Sequence, residues 1–136
     1  MNTLSSEMYW LTLNVLLVAI MVTPYAIYRL NKLGGIIKVF EKPLPGDTPF
    51  DEAWAHRAYR AHMNAFEGIA LFAPLAIAVQ VSGVGNDVTA MACAIYFWAR
   101  VVYAPLYYFD IPYLKTTAWM IGLIATFTLG FQLLQN

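Results

Sequence analysis

Between Asp51 and Glu67 the chain reads DEAWAHRAYRAHMNAFE, and its polar groups recur with helical spacing. At ~100° per residue, His56, Arg57, Arg60, Asn64 and Glu67 share one stripe of a helix, and His62 falls on the opposite side. Further along, Tyr96, Arg100, Tyr103 and Tyr107 also share a face. A guanidinium binds carboxylates through paired hydrogen bonds, so a surplus of arginines suits an anionic guest. Carboxamide, carboxylate and phenol groups beside them suit a guest with amino and amide groups as well. A small peptide-like anion fits this set.

Some of these residues also have a purely structural reading. Glu67 and Arg100 can pair between helices, with Asn64 and the tyrosines as hydrogen-bonding glue. Arg29 and Arg57 suit anchoring at a membrane surface. The ion pair explains less well why Arg57, Arg60 and Arg29 add further cations at the same end, and anchoring remains the better reading for Arg29. No metal site is expected, because His56 and His62 are six residues apart and cannot share a helical face. Cys93 is the one cysteine, which excludes an internal disulfide and a cysteine-based zinc site. It is read as a packing residue.

The elements that hold these stripes are apolar. Of the 136 residues, 60% are hydrophobic and 12% charged, and the mean hydropathy is +0.58. That composition belongs to a membrane protein of one domain, residues 1–136. The net charge is zero, which gives no reason to expect nucleic acid as a partner. Four runs are long enough to span a bilayer core of ~30 Å: about Glu7–Leu33, Pro49–Ser82, Asp87–Phe109 and Pro112–Leu134. The fold class is therefore all-α, an integral membrane four-helix bundle. The first run lacks a basic flank and is too long for a signal peptide.

The connections and charges set the topology. The first connection holds Gly34, Gly35, Pro43, Pro45 and Gly46, and is long enough for some structure of its own. It ends in a helix start signal, with Thr48 as N-cap, Pro49 at the first position, and Asp51 and Glu52 in the first turn. The other two connections are short, so consecutive helices are antiparallel neighbours. All eight basic residues then fall toward one side of the membrane. The positive-inside rule makes that side cytoplasmic, with the first and third loops inside and both termini outside. Counting inward from Ser82, Glu67 lies ~22 Å from the outer boundary, inside the hydrocarbon, and Arg100 lies within side-chain reach of that depth. Pro105 is expected to kink the third run beside the site. Ala118, Gly122, Thr126 and Gly130 make a small-residue stripe, suited to packing within the chain or between copies.

The segment Arg57-Ala-Tyr-Arg60-Ala-His62-Met-Asn64-Ala-Phe-Glu67 resembles the signature of the MAPEG family, the membrane-associated proteins of eicosanoid and glutathione metabolism. The segment Ala99-Arg100-Val-Val-Tyr103-Ala-Pro-Leu-Tyr107 resembles that family's second block. The length and four-run layout agree too, and suit a prokaryotic-type member. The resemblance implies a homotrimer with glutathione as co-substrate between subunits near the cytoplasmic side. It assigns glutathione contacts to Arg57, Arg60, Asn64, Glu67, Arg100, Tyr103 and Tyr107. Family enzymes are thought to stabilise the thiolate with an arginine near the start of the fourth helix. Here the sequence departs, and the nearest basic residue is Lys115.

Independently of the family, nearby cations lower a thiol pKa from ~8.5 and raise the reactive thiolate fraction. Lys115 and Arg100 are the expected catalytic cations. The leading expectation is a glutathione-dependent transferase or peroxidase acting on a hydrophobic electrophile that enters from the bilayer, placed in a bacterial inner membrane. The alternatives are a non-catalytic lipid- or ligand-binding member of the family, and a small exporter with Glu67 as proton relay.

Overall fold

The structure is a computed structural model that describes residues 4–42, 45 and 48–136. Its described elements are α1 (Ser6–Ile20), α2 (Thr23–Leu33), α3 (Ile36–Glu41), α4 (Ala53–Ser82), α5 (Asp87–Tyr108) and α6 (Pro112–Gln135). Four segments are long and apolar enough to cross a membrane: Ser6–Leu33, Ala53–Ser82, Asp87–Tyr108 and Pro112–Gln135. The expected four-helix membrane bundle is thus the observed one.

The first span is a helix pair. Pro24 has no N–H to bond the carbonyl four residues back, and its ring crowds that turn. The helical pattern lapses at Met21 and Val22 and resumes at Thr23. α2 ends at Gly34, whose φ of +86° is open to glycine at little cost. There the Gly35 N–H bonds Leu30 O at 2.9 Å. The first connection does hold structure of its own, the short α3. The Pro43 and Gly46 signals lie outside the described residues.

The start expected for the second span needs correction. Thr48 and Pro49 do not open the helix; α4 begins at Ala53, with Glu52 as N-cap and no side-chain cap. Tertiary contacts hold Thr48, Phe50 and Asp51 against α2 instead. Arg29 Nη2 donates to Thr48 O at 2.5 Å and lies 4.2 Å from the Phe50 ring centroid. Lys32 Nζ donates to Asp51 Oδ2 at 2.8 Å, and Tyr28 Oη donates to Asp51 Oδ1. Arg29 thus ties the first connection to α2.

α5 opens on a capping box. Asn86 Oδ1 accepts from the N–H groups of Val88 and Thr89, and Thr89 Oγ1 accepts from Asn86 N at 2.8 Å. The helix continues through Pro105 to Tyr108. α6 then starts on Pro112 after Asp110, which takes a positive φ of 54°.

Packing follows residue size. Ala55, Ala58, Ala61 and Ala65 are buried along α4, and this side-chain-poor face lets neighbouring helices approach closely. In the half of the bundle toward the C-terminal end of α4, Phe72 stacks on Tyr96 at 3.8 Å between centroids. Cys93 is buried in the same core, as its packing role requires. On α6, Ala118, Gly122 and Thr126 are buried within the single chain. That stripe is used for intramolecular packing.

Candidate functional site

α4 and α5 bring Asn64 and Arg100 of their polar stripes together. Arg100 sits inside the bundle, only 5% exposed. Its Nη1 donates to Asn64 Oδ1 at 2.9 Å. Its guanidinium carbon lies 5.1 Å from the Tyr96 ring centroid and 5.6 Å from that of Tyr103. Two glycines make the room. A Cβ on Gly68 would lie 2.6 Å from Arg100 Nη2 and 2.8 Å from Tyr96 Oη. On the α6 side, a Cβ on Gly122 would meet Arg100 Nε at 3.5 Å. Arg100 Nε and Tyr96 Oη are buried without a hydrogen-bond partner among the described residues.

The structural pairing considered for Glu67 is not formed. Among the described residues the ion pairs are Lys32–Asp51 at 2.8 Å and Lys115–Asp110 at 2.6 Å. Glu67 is exposed on the bundle surface, and so is Arg60. An exposed carboxylate at hydrocarbon depth is costly unless something polar covers it. Arg57 is half-buried, and its Nε donates to Tyr108 O at 2.7 Å, satisfying a carbonyl in the last turn of α5.

Beside Asn64 opens a cleft of ≈ 220 Å³ lined by Asn64, Tyr103, Tyr107, Lys115, Thr116 and Trp119. It gathers residues from α4, α5 and α6. Tyr103 and Tyr107 stand one turn apart, with ring centroids 5.5 Å from each other. Lys115 Nζ lies 5.0 Å from the Tyr107 ring centroid. Its bond to Asp110, with the lysine charge itself, holds the Asp110 carboxyl below the usual carboxylate range. Asp51 behaves likewise in the first connection, where the hydrogen bonds from Lys32 and Tyr28 push it down to about 2.

Of the residues picked out in the sequence, Asn64, Tyr103, Tyr107 and Lys115 therefore line one cleft, with Arg100 behind Asn64. Arg60 and Glu67 lie on the outer surface of α4, and Arg57 caps α5. His62 turns away from the stripe, as its phase demands, and its Nδ1 lies 2.6 Å from Tyr25 Oη. Sequence reasoning did not pick out Thr116, Trp119, Gly68 or the Asp110 partner of Lys115. Gly68 carried a signal, since it stands four residues after Asn64 on the turn facing Arg100.

Four membrane-spanning helices, with a cation-bearing polar cleft built from three of them, define the class: a small multi-pass membrane protein. The chain matches the model of the MAPEG family over residues 8–135 and belongs to that family. It is thereby a membrane protein of a family tied to glutathione and eicosanoid metabolism. Comparison with curated proteins gives no match.

Proposed function

We propose that the protein is a glutathione-dependent transferase or peroxidase working on hydrophobic electrophiles, as a homotrimer that holds glutathione between subunits. The carrying observation is the exposure of Arg60 and Glu67 on α4 beside the cleft of Asn64, Tyr103, Tyr107 and Lys115. Arg60, read at the inner interface, stands on the same stripe as Glu67, and a carboxylate at the depth read for Glu67 calls for a polar cover. A second copy and a zwitterionic tripeptide would supply one. Arg60 suits a carboxylate of the guest, Glu67 its ammonium, and Asn64 an amide or carboxyl group.

In the transferase reaction the glutathione thiolate forms a C–S bond at an electrophilic carbon. The leaving group departs with the bonding pair, and the thiol proton passes to water. In the peroxidase reaction two glutathione thiols give a disulfide, and the hydroperoxide becomes an alcohol and water. Lys115 is the cation nearest the cleft that can favour the thiolate. The electrophile reaches the site from the bilayer and glutathione from the cytoplasm, with the first and third loops cytoplasmic and both termini outside, in a bacterial inner membrane.

The Lys115–Asp110 pair favours a second reading, non-catalytic ligand binding, because it gives the lysine a resident anion. Turnover of glutathione with a lipophilic aryl halide, by protein reconstituted in liposomes, separates the two. The transferase reading predicts thioether product and a loss of about tenfold or more in Lys115→Ala, the size of one charge-assisted hydrogen bond. Glutathione binding without product would support the second reading, and absence of glutathione binding contradicts the transferase reading.

A further inference from the structure

We infer that Arg100 is a positioning residue that turns the Asn64 side-chain amide so its N–H groups face the cleft, making the cleft select a hydrogen-bond acceptor at that point. The inference rests on the reading of this cleft as the guest site. Arg100 is too enclosed to serve as an open ligand: it is 5% exposed and ringed by Tyr96, Tyr103, Gly68 and Gly122. Its one hydrogen bond among the described residues runs from Nη1 to Asn64 Oδ1 at 2.9 Å.

The chemistry of that bond fixes a direction. A guanidinium has donors and no acceptor, so only the carbonyl oxygen of the asparagine can face it. The Nδ2 group must then occupy the other branch of the amide. Asn64 is half-buried and lines the cleft. Its carbonyl is occupied from behind, so its donors are what it offers in front. The Lys115 ammonium, also a donor only, stands in the same lining. A carboxylate or carbonyl is accepted there and an ammonium is rejected. The guest's own cation must lie elsewhere, and Glu67 is the carboxylate on the same stripe.

A double-mutant cycle on the purified full chain in detergent, read by calorimetry with S-hexylglutathione, tests the coupling. Arg100→Lys and Asn64→Ala should each weaken binding about tenfold, and the double variant should bind no worse than Asn64→Ala alone. Losses that multiply would mean Arg100 meets the guest itself and would overturn the inference. Asn64→Asp covers the case in which Arg100→Lys does not fold. It keeps the bond to Arg100 but swaps the forward donor for an acceptor, and binding should fall at least about tenfold. Unchanged binding in Asn64→Asp also overturns the inference. A guest-independent arm follows the Asn64 side-chain amide resonances during titration with acetate or methylammonium. Acetate should shift them and methylammonium should not; the reverse contradicts the inference. If S-hexylglutathione does not bind the wild-type chain, the glutathione reading fails while this arm still decides the orientation.

Discussion

A methyl group at position 68 would collide with Arg100 Nη2 and Tyr96 Oη, at 2.6 Å and 2.8 Å. The guanidinium would have to leave its slot or push α4 from α5. Gly68→Ala is therefore expected to lower stability by about 1–3 kcal/mol, the usual cost of overpacking, with Gly122→Ala the milder change because its contact is an ordinary 3.5 Å. Thermal melts of the two variants in one detergent check the order, and equal melts would contradict it. At this scale the sequence was legible in part. Helical phase alone placed Asn64 and Arg100 on facing stripes. It did not decide whether the arginine would take Glu67 or Asn64 as acceptor. Both carry oxygens on the same α4 stripe, and the choice depends on how closely the helices approach at Gly68. Helix periodicity carries no information about that distance.

Two elements are tied down by carboxylates in the connections. At the start of α6, Asp110 holds Lys115 at 2.6 Å. Asp110→Asn removes the charge and keeps a residue type that tolerates the positive φ found there. Freed from its resident anion, Lys115 should promote conjugation several-fold more strongly at neutral pH, read as kcat/KM. Unchanged kcat/KM would take Lys115 out of the reaction.

In the first connection, Asp51 is pushed down to about 2 by Lys32 and Tyr28. A carboxyl depressed below its ordinary ~3.9 gives its full stabilisation above that value and loses it as pH falls through the depressed one. The carboxyl carbon of Asp51 should thus titrate in NMR with a midpoint near 2, moving toward the ordinary value in Lys32→Met. These same ties explain the misplaced α4 start. Thr48, Pro49, Asp51 and Glu52 carry the local start signals, yet Arg29, Lys32 and Tyr28 of α2 capture Thr48 and Asp51. Local propensity is weak beside such tertiary contacts. The break before Pro24 is a further departure, since Glu7–Leu33 reads as one apolar run while the helix divides into α1 and α2.

For the whole molecule, composition made the membrane bundle legible, because four long apolar helical runs leave few other arrangements in lipid. The site was less so, because helical phase does not say which residues of a stripe turn inward and which stay on the surface. Asn64, Tyr103, Tyr107 and Lys115 meet in one cleft, while Arg60 and Glu67 open outward from α4. Our account assigns those two groups to a guest and a neighbouring copy. The most direct test is calorimetric titration of glutathione into the purified wild-type chain and Arg60→Ala in the same detergent. The account predicts saturable binding by the wild type and a loss of about tenfold or more in Arg60→Ala. No saturable binding by the wild type, or equal affinity in the two proteins, would contradict it.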